Sequence, residues 1–215
     1  MQTGSRHPSR FIPVILLFAI AGIIALTQAP NPAPGDAPSP SPAATTSSAA
    51  FTLTSSAVEN GMLLAAFRGE KKDENGVEKS IPLAWSGVPA GTGSLAVIMF
   101  HYPFPEDHTQ INTYLLLWDI APTVTGIPHG KADDGPWFMG ANKDGTVISY
   151  TSPNSPNPNP HEYTIVLYAL SETPPTLPRE SSLAVNHDAF MKALSTVKIL
   201  GSASLTFVSS GSSGE

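Results

Sequence analysis

Proline and glycine break this chain so often that long helices have little room to form. Its 215 residues include 22 prolines and 17 glycines; proline removes a backbone donor and fixes φ, and glycine favours turns. Short apolar runs remain between the breaks, and their period decides the fold class. Phe51-Thr52-Leu53-Thr54-Ser55 alternates apolar and polar, as a half-buried strand does. Leu95-Ala96-Val97-Ile98-Met99-Phe100 is apolar on both faces, which predicts a central strand covered on both sides. Residues 114–120 and 163–170 read the same way, and residues 203–208 alternate again. One helix is expected, starting near Asn186 or Asp188, either of which can cap it, with Phe190, Leu194 and Val197 along one stripe. The expectation is an all-β fold with a short late helix: a two-sheet antiparallel β-sandwich with Greek-key connections.

The strand pattern occupies residues 51–208, a length that buries a real core as one domain. Ahead of it, Arg6, His7 and Arg10 precede an uncharged apolar run at residues 11–26. A helix of that length spans roughly 24 Å, slightly short of a ~30 Å hydrocarbon core. Residues 1–29 are therefore expected to be a signal peptide or a short signal anchor, with the folded domain exported to the periplasm or beyond. Membrane attachment would come through residues 11–26 if they are not cleaved. Residues 30–50 are rich in Pro, Ala, Ser and Thr and hold no large apolar side chain, so they read as an extended spacer. Residues 209–215 read as a frayed tail.

The chain has no cysteine, which excludes disulfides, thiolate metal sites and a cysteine nucleophile. A formal charge of -6 argues against an electrostatic grip on nucleic acid, and loss of Arg6 and Arg10 would take the remainder further negative.

Three segments carry a resemblance. The first is Ser80-Ile81-Pro82-Leu83-Ala84-Trp85, followed by Val88-Pro89-Ala90-Gly91-Thr92-Gly93-Ser94. The second is Trp118-Asp119-Ile120 with Ile127-Pro128-His129-Gly130, and the third is His161-Glu162-Tyr163-Thr164-Ile165-Val166-Leu167-Tyr168-Ala169-Leu170. In this order and spacing they resemble the phosphatidylethanolamine-binding protein family, in its bacterial Raf-kinase-inhibitor-like branch. The resemblance implies a β-sandwich with a small anion pocket near one end, taking phosphate, acetate or a phosphoethanolamine headgroup. His161 matches the family's last pocket histidine. Tyr114 stands where a strand histidine is expected, with Thr113 and Leu115 in place of its flanking tryptophans. His101-Tyr102-Pro103-Phe104-Pro105 occupies an Asp-Pro-Asp-x-Pro loop, so both aspartates are lost and Pro105 is kept. Glu162 replaces the usual Arg, and residues 150–160, beginning with Tyr150, replace a Gly-Pro-rich loop. The site residues so implied are His161, Tyr114, His101, Tyr150 and Pro105.

On their own chemistry, His101 and His161 sit where strands meet loops, a place from which a side chain can reach a pocket. Neutral imidazole offers one donor and one acceptor, and imidazolium offers two donors. The alternative is that these groups only tie strands together by hydrogen bonds. Two histidines without a partner carboxylate make a thin metal site. Asp133-Asp134 and Glu106-Asp107-His108 read as solvated loop residues, and His129 and His187 as exposed. Trp85, Trp118 and Trp137 read as core, with Trp137-Phe138-Met139 able to line a pocket mouth. Ser152 and Ser155 lack a nucleophile elbow, and no second catalytic group accompanies His161. The expected function is a non-catalytic binding module without a cofactor, recognising a small anionic or phosphate-bearing group. The competing expectation is a regulator that contacts a protease or envelope protein through its Pro-Asn loop at residues 152–160.

Overall fold

The computed structural model describes residues 49–69, 78–104, 106–143, 145–154 and 159–210. The expected leader or anchor, most of the spacer, Pro105, Ser155 and residues 211–215 lie outside them. In chain order the described strands are β1 (Thr52–Thr54), β2 (Val58–Glu59), β3 (Met62–Leu63), β4 (Leu83–Ser86), β5 (Ser94–His101), β6 (Asn112–Ile120), β7 (Gly126–Ile127), β8 (Phe138–Met139), β9 (Pro160–Leu170) and β10 (Ile199–Ser210). The helix α1 (His187–Leu194) lies between β9 and β10.

Two sheets form, as expected, but not as a purely antiparallel pair. The smaller runs β1-β4-β7, and the larger runs β2-β3-β10-β9-β5-β6-β8. Within the larger, β3 lies parallel to β10, meeting it where Val208 faces Met62. The sheet is therefore mixed, and its curled form replaces the expected Greek-key sandwich. The parallel contact arises because the β2–β3 hairpin turns back on itself at Asn60-Gly61, both at positive φ (50° and 75°). That dipeptide is the preferred chemistry of a two-residue hairpin.

The two long apolar runs become β5 and β6, covered on both faces. Leu95, Val97 and Met99 point into a core shared with Leu53, Leu83 and Trp85 of the small sheet. Ala96 and Ile98 point the other way, against Phe190, Ala193 and Leu194 of α1. Strand β9 differs from the expectation: its second face is only half-buried through most of its length. The helix is capped by Asn186, whose Oδ1 accepts from Ala189 N–H at 2.9 Å. It ends at Leu194, so Val197 lies beyond it yet still packs on the same cluster. Strand β10 runs on to Ser210, and Ser209 is buried, so these two serines belong to the sheet and not to the tail.

A β-bulge in the β5–β6 pair places the site. Met99 faces Leu115 and Phe100 faces Thr113, which leaves Tyr114 as an extra residue on β6. The bulge turns Tyr114 and Leu115 into the same core, where strict alternation would separate them.

Candidate anion-binding site

Strand ends bring the site together. His101 closes β5 and is buried, only 6% exposed. His161 is the second residue of β9, the neighbour of β5, and the two rings stand perpendicular with centroids 5.5 Å apart. Tyr114, turned inward by the bulge, places its hydroxyl 3.1 Å from His101 Nδ1. Tyr163 lies two residues after His161 on the same face of β9, and its ring stacks on His101 at 5.0 Å. Phe207 of β10 backs Tyr163 in a further stack at 5.6 Å.

Burial governs the electrostatics of this group. His101 is pushed down to about 4, first by burial and then by the charges of His161 and Lys143. It is therefore a neutral ring at ordinary pH. Lys143 sits with its ammonium 5.5 Å from the centre of the Tyr114 ring, a favourable cation–π distance. Burial raises the Tyr163 phenol, and the Tyr114 side chain partly offsets that rise.

His161 is half-buried, but its Nε2 is shielded from solvent and has no hydrogen-bond partner among the described residues. Buried polar nitrogens are nearly always paired, and an unpaired one costs about 1–3 kcal/mol. The ring forms part of the wall of a cavity of about 240 Å³, beside Tyr102, His108, Pro160, Glu162 and Val208. Tyr102 and His108 stack face to face there at 4.2 Å. His108 thus belongs to the cavity and not simply to a solvated loop, while Glu106 and Asp107 are exposed as expected.

The segment after β8 adds a second shielded atom. Ser152 Oγ is buried and also lacks a partner among the described residues. The backbone here is pinned on two sides. Thr151 N–H donates to the Tyr114 carbonyl at 3.0 Å. Tyr150 N–H donates to Asp133 at 3.1 Å, and Ser152 N–H donates to Glu78 at 2.5 Å. Asp133 is therefore a half-buried backbone acceptor, which corrects its reading as a solvated acid. Asp134 is solvated and pairs with exposed Lys131.

Of the residues expected in the site, His101, Tyr114 and His161 converge. Tyr150 is buried in the core cluster that also holds Tyr114 and Tyr163, and Pro105 lies outside the described residues. His129 is exposed, with its ring edge on Phe67. His187 is half-buried, which corrects its reading as exposed, and its Nδ1 lies 2.9 Å from Asp188 Oδ1. The indoles of Trp85, Trp118 and Trp137 each donate to a backbone carbonyl, of Val124, Pro178 and Ala132 respectively. Neither this cavity nor the one beside α1 is lined by Trp137, Phe138 or Met139. Sequence reasoning missed Tyr163, Lys143 and the Tyr102–His108 stack. Tyr163 alone carried a local signal, its two-residue spacing from His161.

Comparison with known proteins agrees with this architecture. Residues 54–209 match the family described as phosphatidylethanolamine-binding protein. The chain is 34% identical over 101 residues to a UPF0098 protein of Methanothermobacter thermautotrophicus, a match covering 45% of this chain and 63% of that one. Among solved structures, the phosphatidylethanolamine-binding protein homolog CT736 from Chlamydia trachomatis superposes with a TM-score of 0.60 at 24% identity, over 74% of this chain and 96% of that one. YbcL from E. coli, described as a member of the mammalian PEBP family, gives a TM-score of 0.60 at 23% identity, over 76% and 100%. With most of its folded part matched, and with the three segments noted above in place, the chain belongs to the phosphatidylethanolamine-binding protein family.

Proposed function

We propose that this protein is an exported, non-catalytic binding module that takes a small anionic or phosphate-bearing group at the His101–Tyr114–His161 cluster. The observation that carries this reading is His161 Nε2, shielded from water and without a hydrogen-bond partner among the described residues. A ligand oxygen supplies the missing partner, and the Lys143 ammonium beside the cluster favours a negative one. Family membership supports a binding protein as the general class. The non-catalytic part rests on chemistry: among the described residues Ser152 Oγ and His161 Nε2 each lack a hydrogen-bond partner, so they are not joined as a nucleophile–base pair. Export rests on Arg6 and Arg10 ahead of the apolar run at residues 11–26.

The test is calorimetric titration of the purified protein with inorganic phosphate and with phosphoethanolamine. Binding of either in the millimolar range or tighter, lost in His161→Ala, supports the reading. No heat from either ligand sinks it and moves a protein-contact role to the front. A reporter fused after Glu215 tests export: it should be active outside the cytoplasm, and deletion of residues 11–26 should retain it inside.

A further inference from the structure

A second cavity lies on the opposite face of β6 from the histidines. It measures about 340 Å³, within the range of small-molecule sites. Thr113 precedes the bulged Tyr114, and the strand alternation sends it to the α1 side, where Leu116 and Trp118 also point. There it lines the cavity with the turn that follows β8 and with the first residues of α1. Three features give this space a definite chemistry.

Its floor is rich in donors. Thr113 is 5% exposed, and its hydroxyl has no hydrogen-bond partner among the described residues. Lys143 lines the wall, with its ammonium lying toward the Tyr114 ring. The start of α1 contributes the unspent N–H groups of a first helical turn, since Asn186 caps only Ala189. The nearby acid does not fill the space, because Asp188 accepts from the His187 ring and its side chain is 93% exposed. The rim is apolar: Leu183 is 45% exposed and Ile111 is half-buried.

Donors below and aliphatic groups above suit an amphiphilic anion. We infer that this cavity is a second ligand site, for a small carboxylate carrying a short apolar tail. The head takes the Thr113 hydroxyl and the first-turn N–H groups of α1, and the tail lies against Leu183 and Ile111. This site is separate from the histidine cluster, since Thr113 and His161 line different cavities.

The test is an amide chemical-shift titration of the full chain with butyrate, alongside inorganic phosphate and butylamine. Butyrate should produce saturable shifts at Thr113, Asn142, His187 and Asp188 in the millimolar range, while butylamine leaves them still. Thr113→Val should weaken butyrate about tenfold, the loss expected for one hydrogen bond to a charged group. Thr113→Ser keeps the hydroxyl and should bind nearly as well as wild type, which separates a lost contact from a disturbed strand. His161→Ala should leave butyrate binding unchanged, so failure of the histidine site does not touch this one. Undiminished binding in Thr113→Val, an equal response to butylamine, or butyrate shifts confined to the His161 neighbourhood would overturn the inference. Phosphate moving the same four amides as strongly as butyrate would overturn the carboxylate-with-tail class.

Discussion

His101 and Tyr114 share a hydrogen bond of 3.1 Å across the β5–β6 pair, and only the bulge at Tyr114 makes it possible. With regular pairing, Tyr114 would face α1 and His101 Nδ1 would lose its partner. Tyr114→Phe keeps the ring but leaves that buried nitrogen unsatisfied. It should cost about 1–2 kcal/mol of stability by denaturant unfolding, with the strand-dominated circular dichroism spectrum retained.

His161→Ala should weaken phosphate or phosphoethanolamine about tenfold to a hundredfold, the span for losing a hydrogen bond to a charged group. Calorimetry on wild type and variant measures it. Tyr114→Phe, which acts on the ligand only through His101, should weaken binding less.

Acid should destabilise the fold through His101. Its folded pKa of about 4 lies below the ordinary 6.5, so between those values the unfolded chain holds a proton that the folded chain does not. The stabilisation is fully present above pH 6.5 and is lost as pH falls through about 4. The groups that face the ring are His161, Lys143, Tyr114 and Tyr163. After a discount for water in the adjoining cavity, the loss should be roughly 1–3 kcal/mol. Unfolding midpoints measured from pH 7 to pH 4 should fall more steeply for wild type than for His101→Gln, and parallel curves would contradict the assignment. A bound anion should reduce the slope by making the imidazolium tolerable.

Phe190 is fully buried and anchors α1 on the outer face of β5 and β6. Phe190→Ala should cost about 3–5 kcal/mol, because it removes a large side chain and leaves a cavity that the sheet cannot close. A change below 1 kcal/mol would mean that α1 is not fastened there.

The chain's local chemistry was enough to specify several elements. Leu95 to Phe100 could only be a strand covered on both sides, since no polar position marks a solvent face. Asn186 was legible as a cap because its short side chain reaches the first-turn N–H groups. His101 and His161 were legible as candidates because one ends a run of strand residues and the other begins one, and the three resembling segments supplied the pairing. Asn60-Gly61 carried a hairpin signal as strong as any, and it passed unread because the strands on either side are two residues long.

What remained depended on contacts between residues far apart in the chain. The parallel meeting of β3 with β10 joins Met62 to Val208, and no local pattern states a register across that distance. Lys143 reaches the Tyr114 ring, and Asp133 turns from a loop acid into an acceptor for Tyr150, only when the segment after β8 lies along β6. The depressed pKa of His101 is of the same kind, a sum of burial and two remote charges. Periodicity and capping act within a few residues and are written locally, whereas register, desolvation and Coulomb fields exist only once distant strands are in contact.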